Sequence, residues 1–177
     1  DLESGGGFAT SDLSELMEVE LPEEVNVVIQ TGGSSVWQNN LVDAEKLQRW
    51  VYSSEGLSLV DEQPSASMGA EDTLEDFLRF AKENYPAQRT AVVFWNHGGG
   101  SVSGASFDEL YGYDSLTLDE MYEAFTNVWT PSADRQPLEL VGFDTCLMAT
   151  VDVASVFQNF ANYLVASEEV EPGNGWL

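Results

Sequence analysis

The chain holds a single histidine, His97, and a single cysteine, Cys146, the two side-chain types that combine to make a thiol nucleophile. A free thiol has a pKa of about 8.5, so a cysteine working at neutral pH needs a base or an imidazolium beside it. One copy of each leaves one possible couple. His97 is followed by Gly98-Gly99-Gly100, where the missing Cβ atoms allow the backbone to come close to a substrate. The N–H groups of Gly98 and Cys146 are then candidate donors to the oxygen of a tetrahedral intermediate. Cys146 is also expected to open a helix, whose positive N-terminal end favours a thiolate. The competing interpretation makes Cys146 an inert buried thiol and His97 a structural imidazole.

These residues need elements that bring them together. β-Branched runs alternate with amphipathic stretches along the chain, a pattern that predicts a parallel sheet covered by helices. Helices are expected over Thr10–Val19, from Asp72 or Thr73 to just before Pro86, from the Thr117/Glu120 capping box onward, and over Ala149–Ala161. Strands are expected at Asn26–Gln30, Thr90–Trp95 (fully buried), Leu138–Phe143 and Tyr163–Ala166, with a hairpin turning at Glu55-Gly56. Residues 101 to 115 read as loop, and Pro131–Pro137 as a linker. His97 and Cys146 each follow the carboxyl end of a strand, where open parallel sheets place their ligand crevice. They stand 49 residues apart, close to the spacing of roughly 50 between the caspase His and Cys.

Thirty-one acidic side chains against six basic ones give a formal net charge of −25. Such a surface repels phosphate backbones and anionic bilayers, so nucleic acid and membrane are not expected partners. Basic peptides or cations suit it better. No apolar run approaches the ~20 residues needed to span a bilayer. With one cysteine no internal disulfide can form. The 177 residues fit one domain. The chain starts at Asp1 without a signal-peptide pattern and so reads as a processed or excised piece.

Other hydrolytic chemistries fit less well. His-Gly-Gly-Gly also occurs as an oxyanion motif of lipases, but the Gly-x-Ser-x-Gly elbow they need is absent and no second histidine exists to act as base. One His and one Cys cannot build an ordinary three-ligand catalytic zinc site.

Trp95-Asn96-His97-Gly98-Gly99-Gly100 and Gly142-Phe143-Asp144-Thr145-Cys146-Leu147-Met148 closely resemble the His and Cys motifs of the clostripain family of cysteine peptidases. Asp1–Ser4, Val27–Gly33 and the stretch from Ala166 to Trp176 resemble the same family, in order along the chain. The resemblance implies a caspase-like α/β/α sandwich with a mostly parallel central sheet, lacking its first strand and cut at both ends in this chain. It implies a bacterial, extracellular or cell-envelope endopeptidase cleaving after Arg or Lys. His97 and Cys146 would be its catalytic dyad, and Asp144, Ser167 and Glu168 would lie in substrate binding. Asp144 would sit at the base of the pocket for the basic side chain, where a carboxylate can pair with a guanidinium. Asn174 departs from the Asp often found there, which removes one expected pocket carboxylate. Self-cleavage in the family falls after a basic residue between His and Cys; Arg135 is the only one here, which makes another fragment of the same precursor an expected partner. No cofactor is required, and although some relatives need calcium, no EF-hand pattern is present. The rival to this activity is a catalytically inactive caspase-like module that uses its acidic surface to bind basic peptides or cations.

Overall fold

Gly7 separates two short helices: at φ +65° it ends α1 (Leu2–Gly6) and begins α2 (Phe8–Leu16). The computed structural model describes residues 1–134 and 136–176, so the expected processing position, Arg135, lies outside the described residues. Two compact units result, one from residues 1–67 with 108–112, the other from 68–107 with 113 onward. In the first, Glu3 is buried and accepts from the backbone N–H groups of Thr10 (2.9 Å) and Gln38 (2.6 Å). A buried carboxylate is tolerable only when bonded in this way, which gives the Asp1–Ser4 stretch a structural duty.

Three strands, β1 (Val27–Thr31), β2 (Lys46–Ser53) and β3 (Gly56–Pro64), pair in order as an antiparallel meander. The β2–β3 turn closes at Ser53 opposite Gly56, whose φ of +96° a side chain would resist. This is the expected hairpin. The pairing shifts between Arg49 and Trp50, where Val60 of β3 is the extra residue of a bulge, and the buried Arg49 bonds Gln30 (3.0 Å) and Asp61 (3.3 Å).

Glu109 belongs to the same unit. The Ser35 hydroxyl (2.7 Å), then the Ser4 side chain and the Ser35 N–H (3.3 Å), hold its carboxyl down at about 2, against 4.5 ordinarily. A depressed carboxyl pKa contributes stability above the unfolded value and loses it as pH falls toward the folded one. Glu109→Gln is therefore expected to cost this unit about 1 kcal/mol at pH 7 after solvent screening. The gap to wild type should close between pH 4.5 and about 2 in denaturant titrations.

The second unit carries α3 (Glu71–Asn84), β4 (Ala91–Trp95), α4 (Gly100–Ser103), β5 (Ala105–Asp108, all but its last residue), β6 (Asp114–Leu116), α5 (Leu118–Val128), β7 (Leu138–Asp144), α6 (Val151–Phe157) and β8 (Ala161–Val165). Strands β4, β7 and β8 form a parallel sheet in that order. Helix α5 opens on the expected capping box, with the Thr117 hydroxyl accepting from Glu120 N–H and the Glu120 carboxylate accepting from Thr117 N–H. Its inward face sets Phe125 against Phe157 (ring centroids 5.0 Å apart) and Phe160 (5.6 Å), and Phe94 of β4 stacks on Phe143 of β7 at 4.8 Å.

Several expected boundaries are corrected. Residues 101 to 115 contain α4 and strands of the β5–β6 hairpin rather than loop alone. Strand β4 is not fully buried; as the outer strand of its sheet it buries only Phe94 and leaves Val93 52% exposed. The helix expected over Ala149–Ala161 runs only from Val151, capped by the Thr150 hydroxyl, to Phe157, and β8 takes up the chain at Ala161. Among the described residues no helix is long and apolar enough to cross a membrane.

Candidate active site

Strand register brings the two reactive residues together. Trp95 of β4 is paired with Asp144 of β7, so His97 and Cys146 each lie two residues past the same rung of a parallel pair. Neighbouring strands run about 4.8 Å apart, and beyond the rung the two loops close on each other. A Cβ on Gly98 would lie 2.0 Å from the Cys146 carbonyl oxygen and 2.7 Å from the Thr145 hydroxyl. Ser101 and Thr150 join their hydroxyls at 2.8 Å, tying α4 to the start of α6.

The His97 loop is fixed from its own side. Asn96 donates its side-chain amide to the Phe107 carbonyl (3.2 Å), and its amide oxygen accepts the His97 N–H (2.5 Å). The His97 carbonyl accepts from Ser106 N–H, and the ring stands edge-on to Phe107 at 6.4 Å. Partial burial lowers the imidazole pKa below the ordinary histidine value.

Cys146 does not open a helix. Leu147 takes φ +65°, which turns the chain sharply after the thiol, and α6 begins only at Val151. The expected helix-terminus contribution at the sulfur is therefore absent. Its place is taken by Glu171, whose backbone N–H donates to Cys146 Sγ at 3.3 Å. The loop after β8 is stitched to the thiol loop on either side, by Leu147 N–H to the Glu169 carbonyl and Ala149 N–H to the Ser167 carbonyl. Among the described residues, neither the Gly98 N–H nor the Cys146 N–H has an acceptor in the protein.

Asp144 sits at the end of β7 under the chain's last described turn. Its carboxylate accepts the Trp176 N–H at 3.0 Å, and a Cβ on Gly175 would meet both of its oxygens at 2.6 Å. The Trp176 indole reaches back to Glu171 Oε1 at 3.3 Å. Burial pushes the Glu171 carboxyl above its usual range; the indole N–H opposes this, and Asp144 raises it further by its charge and by a carboxyl–carboxyl hydrogen bond. Ser167 lies on the same loop and uses its hydroxyl to accept Glu169 N–H, while Glu168 is exposed. In the sequence Glu171 is marked only by its place in the Ala166–Trp176 stretch.

The sequence profile of the clostripain family matches residues 3–177. The chain belongs to the clostripain family of cysteine peptidases. It is 31% identical to clostripain of Hathewaya histolytica in an alignment of 122 residues that covers 63% of this chain and 23% of that protein. Two crystal structures of secreted C11 cysteine proteases from Bacteroides thetaiotaomicron share its fold. One, bound to an irreversible peptide inhibitor, superposes with a TM-score of 0.72 at 23% identity over 95% of this chain and 46% of its own. The other gives 0.75 at 15% identity, over 98% and 51%. An inactive C11 zymogen from Parabacteroides distasonis gives 0.66 at 19% identity, over 96% and 46%. The chain thus spans about a quarter of clostripain and about half of these C11 structures, and the α/β fold is the caspase-like one the motifs implied.

Proposed function

We propose that the protein is a secreted cysteine endopeptidase that cleaves after Arg or Lys, with Cys146 as nucleophile and His97 as its acid/base partner. The observation that carries this is the contact between the His97-Gly98 and Thr145-Cys146 loops beyond the Trp95–Asp144 rung. The Cys146 thiol passes its proton to His97 and the thiolate attacks the scissile carbonyl, the oxyanion being received by the unengaged Gly98 and Cys146 N–H groups. His97 gives a proton to the leaving amine, then takes one from the water that releases the acyl group. Asp144 meets the basic side chain of the residue before the cut. Ser167 and Glu168 extend the same wall, and the chemistry draws on no cofactor. Extracellular placement is supported by the secreted Bacteroides relatives, and activation by processing of a precursor by the inactive Parabacteroides zymogen.

The test is labelling of the full-length, processed protein with a thiol-reactive inhibitor carrying Arg at its specificity position. Modification is expected at Cys146 and should be lost in His97→Ala at neutral pH. No label, together with no cleavage of Arg- or Lys-containing peptides, would favour the inactive binding module, with the net charge of −25 as its functional surface.

A further inference from the structure

We propose that Glu171 is a specificity-determining residue that supplies a second carboxylate beside Asp144 for the cationic side chain of the substrate. This deepens the reading of the protein as an Arg/Lys-directed peptidase and rests on it. Glu171 Oε2 is buried and no N–H or hydroxyl of the protein donates to it, and its carboxyl lies within hydrogen-bonding reach of the Asp144 carboxyl. Leaving a carboxylate oxygen dry and without a donor is costly, and placing it beside a second carboxylate adds to the cost. The two acids are nonetheless held in place by one residue. Trp176 gives its backbone N–H to Asp144 and its indole N–H to Glu171 Oε1. The turn is closed by Gly175 N–H on the Pro172 carbonyl, and the indole lies over Gly142, where a Cβ would come within 2.9 Å of the ring.

So built, the loop fixes two carboxyl groups side by side, one of them with a buried oxygen at which no N–H or hydroxyl of the protein points. A guanidinium carries five N–H donors in a planar fork and its own positive charge, and it answers both deficits at once. Asn174, exposed on the same turn, brings no charge. Glu171 also touches the nucleophile through its main chain, since its N–H is the donor on Cys146 Sγ. The side chain and the main chain of this residue therefore separate cleanly in an experiment.

Glu171→Gln keeps the backbone N–H and removes only the charge. In the full-length, processed enzyme it is expected to raise KM for Arg peptides about 10- to 100-fold, the weight of a charge-assisted bond, with kcat changed less than threefold. Alkylation of Cys146 by neutral iodoacetamide should stay within about twofold of wild type, and Glu171→Asp should recover part of the KM. An unchanged KM in Glu171→Gln, alongside collapse in Asp144→Asn, would overturn the assignment of Glu171 and leave the Arg/Lys reading standing. Loss of iodoacetamide reactivity in step with turnover would overturn it in favour of a structural role. A wild-type enzyme indifferent to Arg and Lys would remove both readings.

Discussion

Replacing Cys146 with Ala in the full-length, processed enzyme is expected to lower kcat at least about 10⁴-fold while leaving the fold in place. The magnitude follows from removing the covalent route altogether: what survives is binding and oxyanion stabilisation, worth roughly 10³–10⁴ over water in hydrolases stripped of their nucleophile. His97→Ala should cost a comparable factor, because the imidazole has no purpose without the thiol. The Cys146→Ala/His97→Ala pair should then be scarcely worse than either change alone, the mark of residues acting as a unit. Stability should shift by less than about 1 kcal/mol, since Cys146 is only partly buried and its one short contact is the Glu171 N–H. Single-turnover assays with an Arg peptide, paired with denaturant titrations, check both halves. Independent, additive losses at the two positions would break the dyad apart.

The sequence carries the meeting of His97 and Cys146 because it is a local property of two strands. Ala91–Trp95 and Leu138–Asp144 are short apolar runs that stop at polar or glycine residues, and a parallel register then sets their ends side by side. The β2–β3 hairpin and the α5 capping box were legible for the same reason, each resting on a few neighbouring residues. What was hidden depends on contacts between distant segments. The β5–β6 hairpin lies in a stretch rich in Gly and Ser, and Gly104 matters there because a Cβ would fall 1.7 Å from the Leu116 carbonyl oxygen. The missing helix at Cys146 turns on Leu147 adopting φ +65°, a conformation that propensity argues against and the Glu169 carbonyl secures. Glu171 could not be singled out because its significance is a buried oxygen and a neighbour 27 positions earlier, Asp144. From the sequence alone the glycines after His97 serve as room for substrate. Gly98 instead makes room for the protein's own thiol loop.

That difference sets the second large effect. Gly98→Ala is expected to reduce kcat/KM by about 10²–10⁴, approaching the loss of the nucleophile itself. Gly98 is not among the glycines with positive φ, so the penalty is one of space and not of backbone conformation. Its Cβ would lie 2.0 Å from the Cys146 carbonyl oxygen and 3.0 Å from the carbonyl carbon, both backbone atoms that cannot rotate away. Relief requires the two loops to part by about 1 Å, and a displacement of that size costs on the order of 10² in a positioned reaction. If Gly98 N–H also receives the oxyanion, its displacement adds up to another ~10²–10³. Gly5→Ala provides the contrast, because nothing lies within 4 Å of its added methyl and Ala suits the helix it occupies. The loss in Gly98→Ala should appear in kcat as well as KM, whereas a glycine needed only to admit substrate would raise KM alone. Wild-type turnover in Gly98→Ala would mean the loops are not held against each other as the Trp95–Asp144 rung requires.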